Sequence, residues 1–242
     1  MKYQIHTIPV LDALREPGGC AFCAMKRRLE ENAMAFMNGR SYMEEDVRME
    51  TNRLGFCAKH LKALYAEQNR LGLGLMLHTF MQQFNKDVGD AEKNNIAGIP
   101  IPRAKKNNLT ERLRKHFAEV NDSCYLCDMV EGTFARYVDT FLHLWSVNKD
   151  AADLIRNQKG YCVPHFTVLL ETAGKALPFD KQEKFLREVL PAQKDYMREM
   201  EADLDWFTQK FDYRNADAPW KNSREALQRA IKMLSSEENE IQ

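Results

Sequence analysis

The chain reads "RLGFCAKHL" at residues 53–61 and "QKGYCVPHF" at residues 158–166. Both run Gly, aromatic, Cys, two residues, His, apolar. Each is preceded upstream by a Cys-x2-Cys, "CAFC" at 20–23 and "CYLC" at 124–127, and these four motifs hold all six cysteines of the 242-residue sequence. Three cysteines and one histidine form a tetrahedral zinc set, and two short pairs separated by a long loop are the usual way such a set is assembled. The candidate ligands are Cys20, Cys23, Cys57 and His60, with Cys124, Cys127, Cys162 and His165 as the second group.

Working outward from these motifs, the flanking segments have helical period. In "CAMKRRLEENAMAFMN" the apolar residues Met25, Leu29, Ala33, Phe36 and Met37 recur at helical spacing over a charged opposite face. "SYMEEDVRMETNRL" continues in helix after the Asn38-Gly39 break, and a long helix starts near Phe56, with Gly72 and Gly74 as candidate interruptions. Residues 89–108, rich in Gly, Asn, Pro and Lys without period, read as a linker. Beyond it come helices over 109–121, from about Cys124, and after Gly160, then one or two more with Pro191 as a break or kink. A last amphipathic helix, "NSREALQRAIKML", has Asn222 or Ser223 as its expected cap. With no run of alternating β-branched residues, the fold class is all-α.

The order Cys-x2-Cys, helices, Gly-aromatic-Cys-x2-His occurs twice, with 33 residues between Cys23 and Cys57 and 34 between Cys127 and Cys162. A methionine follows each second cysteine by two places, at Met25 and Met129. This spacing reads as an internal duplication. The expected organisation is a first metal-binding repeat over 1–90, a linker over 91–108, a second repeat over 109–210, and a C-terminal loop and helix over 211–242. Within-half pairing of the ligands is favoured because its loop is short and closes at lower entropy; the exchanged pairing, Cys20 and Cys23 with Cys162 and His165, stays open.

Residues i and i+3 in the first turn of a helix point to one side, so each short motif is a two-pronged clip. Helix N-termini also lower thiol pKa and stabilise sulfur charge. Gly55 and Gly160 suit a turn ahead of each His-bearing helix, and Pro164 falls in a first turn, where its missing N–H costs little. Lys59 stands where the second motif has Pro164, a difference that gives the thiolates of one site a neutralising charge. Closed four-ligand sets favour structural Zn2+ at two sites, with an iron–sulfur cluster or a reactive dithiol as the alternative. Covalent haem is disfavoured, since Ala24 and Asp128 rather than His follow the paired cysteines.

Composition excludes several other classes. Basic and acidic residues balance at 35 each, so net charge gives no clear nucleic-acid signal. No window is apolar enough to span a membrane and no secretory leader precedes the first helix pattern, which together with the cysteine usage reads as cytoplasmic. No Walker loop, dinucleotide fingerprint or Glu-x-x-His pair is present. His6, His78, His116 and His143 have no nucleophile or carboxylate at a persuasive spacing, so no catalytic residue is assigned. Trp145, Trp206, Phe207 and Phe211 read as core, "PRAKKNN" as soluble linker, and Tyr213, Arg214, Asn215 and Trp220 as a packed belt with a partner-facing rim as the alternative.

The opening "IHTIPVLDAL", the paired Cys-x2-Cys, "GFCAKH", "GYCVPH" and the ending "FDYRNADAPWKNSREALQRAI" resemble an uncharacterised bacterial family, domain of unknown function 6062, found chiefly in anaerobic Firmicutes. The similarity spans nearly the whole chain. It departs at "GCAFC", where a Cys-Pro-Leu-Cys-like pair is expected, leaving the ligands intact. The resemblance implies that the twin motif is a family feature and brings no activity with it; an anaerobic setting strengthens the iron–sulfur alternative. The sequence therefore points to a metal-binding helical protein, zinc first, acting as an interaction or regulatory scaffold with an unknown protein partner.

Overall fold

A computed structural model describes residues 4–96 and 109–236. Among these the chain is all-α, with the helices α1 (Gln4–Arg15), α2 (Ala21–Asn38), α3 (Glu45–Leu54), α4 (Ala58–Ala66), α5 (Arg70–Ile96), α6 (Leu109–Asp122), α7 (Tyr125–Val147), α8 (Lys149–Arg156), α9 (Val163–Ala176), α10 (Phe179–Gln209) and α11 (Ala226–Ser235). No described helix is long and apolar enough to cross a membrane. The run "PRAKKNN" lies outside the described residues. α5 extends through Ile96, so residues 91–96 of the expected linker are helical and the rest of it is not described.

The chain forms two compact units, and they do not follow the order of the two sequence segments. One contains Met1–Arg28 and Phe134–Gln242; the other is Leu29–Thr133. The divisions fall inside α2 and α7.

In the first unit α8, α9 and α11 pack on α10, and α1 packs on α8. Phe134, Val138, Phe141, Leu142 and Trp145 recur at three- and four-residue spacing on α7 and are buried together. Phe22, fully buried at the start of α2, has its ring 4.9 Å from Phe141, 5.4 Å from Tyr161 and 6.0 Å from Phe134. Burying an apolar side chain of this size contributes about 2–3 kcal/mol. Asn148 caps α8 by accepting from Ala151 N–H at 3.0 Å. Of the expected break or kink at Pro191 there is no break, since α10 continues through it: Phe185, Val189 and Gln193 are buried on both sides, and their packing offsets the roughly 3 kcal/mol that an interior proline costs.

In the second unit α3 packs along α5, which also meets α4 and α6. Leu29, Ala33 and Met37 of α2, Val47 and Leu54 of α3, and Leu73 and Met76 of α5 are buried. Phe36, expected on the apolar face, is 45% exposed. It lies adjacent to the Leu29–Ala33–Met37 stripe, which is narrower than the spacing suggested. The long helix expected from Phe56 is two helices, and the break precedes both glycines. Asn69 Oδ1 accepts from Gly72 N–H at 2.9 Å and Asn69 O accepts from Leu73 N–H, so an asparagine cap starts α5 there.

The C-terminal segment departs from expectation in two places. Residues Lys221–Glu225 form a 3-10 turn and Glu225 sits at the start of α11, so neither Asn222 nor Ser223 caps it; Ser223 Oγ instead donates to Trp220 O. The loop before it is organised by Lys210, whose ammonium donates to Asn215 O, Ala216 O and Ala218 O at 2.6–2.9 Å. Trp145 is core as expected, whereas Phe211 is 75% exposed. Tyr213 and Arg214 are exposed, Arg214 pairs with Asp212, and Asn215 donates to Gln209 O.

Candidate metal centres

Four helices begin at the four motifs. The first cysteine of each motif stands at the cap and its carbonyl accepts the first helical bond: Ala24 N–H to Cys20 O, Leu61 N–H to Cys57 O, Asp128 N–H to Cys124 O and Phe166 N–H to Cys162 O, at 2.9–3.2 Å. The second residue of each pair, Cys23, His60, Cys127 or His165, lies three places on, in the first turn. Cap and third position point to the same side, which makes the clip. The turns ahead of the two histidine motifs need glycine. Gly55 has φ 60 and Gly160 φ 149, and a Cβ there would stand 2.9 Å from the Phe80 ring or 2.6 Å from the Tyr196 ring.

The clips meet in exchanged order. Cys20, Cys23, Cys162 and His165 form quartet 1, and Cys57, His60, Cys124 and Cys127 form quartet 2; within each, the ligand atoms all lie within 4.8 Å of one another. Every sequence-predicted ligand is in a quartet, and each quartet has the expected Cys3His composition. The favoured within-half pairing is overturned. Closing loops of 139 and 70 residues rather than about 33 costs only about 1.3 and 0.6 kcal/mol more. Specific contacts outweigh that. Tyr125 N–H, left without a partner by the start of α7, donates to Gly55 O at 3.0 Å, and Ser123 Oγ donates to Leu54 O at 2.7 Å. On the other quartet, Gln158 Nε2 donates to Leu14 O and Phe22 packs on Tyr161.

In each quartet the three sulfur–nitrogen spacings and one sulfur–sulfur spacing match a single tetrahedral ion. Zinc–sulfur and zinc–nitrogen bonds of ordinary length give tetrahedron edges of about 3.8 Å between sulfurs and about 3.5 Å between sulfur and nitrogen. In quartet 1, Cys23 Sγ is 3.6 Å from Cys162 Sγ, and His165 Nδ1 is 3.1, 3.3 and 3.8 Å from Cys162, Cys23 and Cys20 Sγ. In quartet 2, Cys57 Sγ is 3.9 Å from Cys127 Sγ, and His60 Nδ1 is 3.2, 3.3 and 3.5 Å from Cys124, Cys57 and Cys127 Sγ.

Electrostatics tell the same story. Burial opposes ionisation of Cys124, but hydrogen bonds from His60 and from the backbone N–H groups of Cys57 and Cys127 prevail and bring it down to about 6. Cys127, partly buried and beside Cys124, is pushed up to about 12. Cys20 is likewise drawn well down against its burial by hydrogen bonds from Cys162, Cys23 and His165, while hydrogen bonding to Cys20 lifts Cys162 to about 12. Each quartet thus sets a thiol drawn toward the thiolate, Cys20 or Cys124, beside one that holds its proton more tightly, Cys162 or Cys127. A divalent cation replaces those protons and satisfies all three sulfurs at once.

The two quartets differ in what surrounds them. In quartet 2, His60 Nε2 meets Glu30 Oε1 at 2.7 Å, and Lys59 Nζ reaches the same oxygen at 2.8 Å. Hydrogen bonding to Cys124 and Glu30 outweighs burial and holds His60 up at about 9; Glu30, despite its burial, is lowered by Lys59 and His60. Quartet 1 is wholly buried, and His165 packs on Phe134 at 5.2 Å and Phe22 at 6.2 Å between ring centres. Glu30 and Phe134 occupy the same place in the motif, seven residues after Cys23 and Cys127 respectively. Gln193 braces the turn before Cys162 from both sides, accepting from Tyr161 N–H at 2.7 Å and donating to Tyr161 O at 3.0 Å. Sequence reading noticed Lys59 and missed Glu30 and Gln193. Only the equal offsets of Glu30 and Phe134 carried a signal for one of them.

The histidines outside the quartets take ordinary places: His6 packs on Tyr137, His78 is exposed, and His116 stacks on Phe84. His116 borders an open cleft of about 830 Å³ in the second unit; the cations along it, Arg53, Arg114 and Lys115, are paired with Glu50, Glu111 and Glu119.

The family described as "Family of unknown function (DUF6062)" matches residues 1–241. No curated protein and no solved structure matches the chain.

Proposed function

The chain belongs to DUF6062, a family of unknown function that lends it no activity, and we propose from the quartets themselves that it is a zinc-stapled helical scaffold. The observation that carries this is the pair of gathered Cys3His sets, in each of which the three sulfur–nitrogen spacings and one sulfur–sulfur spacing have the length of the edges of a tetrahedron around one zinc ion. In quartet 1 the ligands are Cys20, Cys23, Cys162 and His165, and in quartet 2 Cys57, His60, Cys124 and Cys127. A bound zinc would carry formal charge of about minus one with its three thiolates, and the two helix starts at each quartet offset that charge.

The same distances weigh against the iron–sulfur alternative. A polynuclear cluster is ligated on separate iron atoms, which spreads the sulfurs further apart than a single ion does. Four protein ligands per ion leave no open coordination position, the property that separates structural from catalytic zinc. We read the role as mechanical: each ion ties a Cys-x2-Cys to a Cys-x2-His 139 or 70 residues away and fixes the helices that begin there. The matching order of the motifs supports an origin by internal duplication, and thiols used as metal ligands fit a reducing cytoplasm. The rigid helical surface would then serve a protein partner.

Chelation tests this. Removing metal from the purified chain with a strong chelator is expected to collapse the cooperative thermal transition, and zinc alone, rather than magnesium or calcium, to restore it. An unchanged melt after complete metal removal would overturn the scaffold reading.

A further inference from the structure

The two quartets offer the same four donors, but only quartet 2 has cysteines that are not buried. Cys57 and Cys127 are partly exposed, whereas Cys20, Cys23 and Cys162 are 8%, 7% and 3% exposed. The sulfurs of these two cysteines are also adjacent, 3.9 Å apart, and come from different helix starts, α4 and α7. The exposed ammonium of Lys59 is held beside quartet 2 by Glu30, and its charge acts on both sulfurs. Around quartet 1 the corresponding space is filled by Phe22, Phe134 and Tyr161.

We propose that Cys57 and Cys127 are a thiol-oxidation site for hydrogen peroxide, and that their oxidation releases the metal of quartet 2 while quartet 1 keeps its own. This rests on the metal assignment above. The chemistry balances as follows. One thiolate attacks the peroxide oxygen, the O–O bond breaks, and a sulfenic acid forms as hydroxide leaves. The second thiolate then attacks that sulfur, the S–O bond breaks, and a second hydroxide leaves with formation of the disulfide. Two thiolates lose two electrons, one hydrogen peroxide gains them, and two protons from solvent convert the two hydroxides to water. The ammonium of Lys59 favours departure of hydroxide by offsetting the charge that develops on it. What remains, His60 and Cys124, is half of a tetrahedral set, so the divalent ion departs unreduced. The ion's departure frees the His60 ring and the start of α7 from each other, which makes the second unit the part of the molecule that responds.

The experiment uses the full chain as purified, with its zinc content measured first. Hydrogen peroxide is added, zinc release is followed with a chromophoric chelator, and the cysteines are mapped by differential alkylation and mass spectrometry. One zinc per chain is expected to leave about ten-fold faster than the other, with a Cys57–Cys127 disulfide as the first product and Cys20, Cys23 and Cys162 still alkylatable after denaturation. Equal release of both ions, or first oxidation within quartet 1, overturns the proposal. The thiol map needs no metal, so it separates the two readings. A zinc-free chain that still oxidised first at Cys57 and Cys127 would overturn the metal assignment and leave the oxidation site standing.

Discussion

Quartets 1 and 2 share donor atoms and position at helix starts, and differ in what lies against the histidine. Seven places beyond the second cysteine, Phe134 lies against His165 and Glu30 against His60. A phenyl ring excludes water and locks its histidine by packing. A carboxylate orients its histidine by a charged hydrogen bond and raises its basicity, and Lys59 pairs with the same Glu30 oxygen and steadies its charge. The difference separates two ways of holding the same ligand set. Quartet 1 is part of a hydrophobic core and should be as stable as that core. Quartet 2 is tuned by polar neighbours, stays open to solvent and should be the first to lose its ion.

The strongest way to break the comparison is to remove one thiolate from each side. Cys162→Ser is expected to cost about 4–5 kcal/mol in denaturant unfolding, because the lost ligand sits inside the core. Cys57→Ser should cost visibly less and act on zinc retention more than on the unfolding midpoint. Equal losses would erase the distinction. Next in size, Phe134→Ala should cost about 3–5 kcal/mol by emptying space beside Phe22 and His165, without changing zinc affinity at quartet 2.

Glu30→Gln probes the other surrounding. Its expected effect is a 10- to 100-fold loss of zinc affinity confined to quartet 2, about 1.4–2.7 kcal/mol, read by chelator competition. Weakening of both sites would mean that Glu30 acts on the fold and not on His60. The smallest effect is reserved for Glu188, a carboxylate of the first unit that serves no histidine. Burial raises it, but the Trp145 indole N–H at 2.8 Å and Arg156 at 3.0 Å bring its pKa below the usual value. A carboxyl lowered in the fold adds stability above its unfolded pKa and loses it as pH falls through the folded value. Glu188→Gln should therefore cost about 1 kcal/mol at neutral pH and nothing below the ordinary carboxylate range. A penalty independent of pH would show that its charge is not what matters.

Much of this was legible in the sequence. Cysteine spacing picked out the eight residues that the fold gathers into two quartets, and the helical period around them pointed to the fold class, because i, i+3 pairs and amphipathic stripes are local properties. Pairing was not local. It turned on a loop-entropy preference of about 1 kcal/mol, which the Tyr125 to Gly55 and Ser123 to Leu54 hydrogen bonds and the Phe22 packing readily outweigh. The same limit explains the smaller misses. Asn69 rather than a glycine starts α5, Ser223 turns its hydroxyl to Trp220 rather than to a helix end, and Glu30 finds His60 across 30 residues of chain. The helix α1, which contains Pro9, gave no periodic signal of its own.

The central claim is that each quartet holds one zinc ion on three sulfurs and a nitrogen. X-ray absorption at the zinc edge, with metal content measured on the same sample, addresses it directly. The account predicts two zinc ions per chain and an average first shell of three sulfurs at about 2.3 Å and one nitrogen at about 2.0 Å. A chain without zinc, or one whose metal is iron with iron–iron scattering, would contradict it.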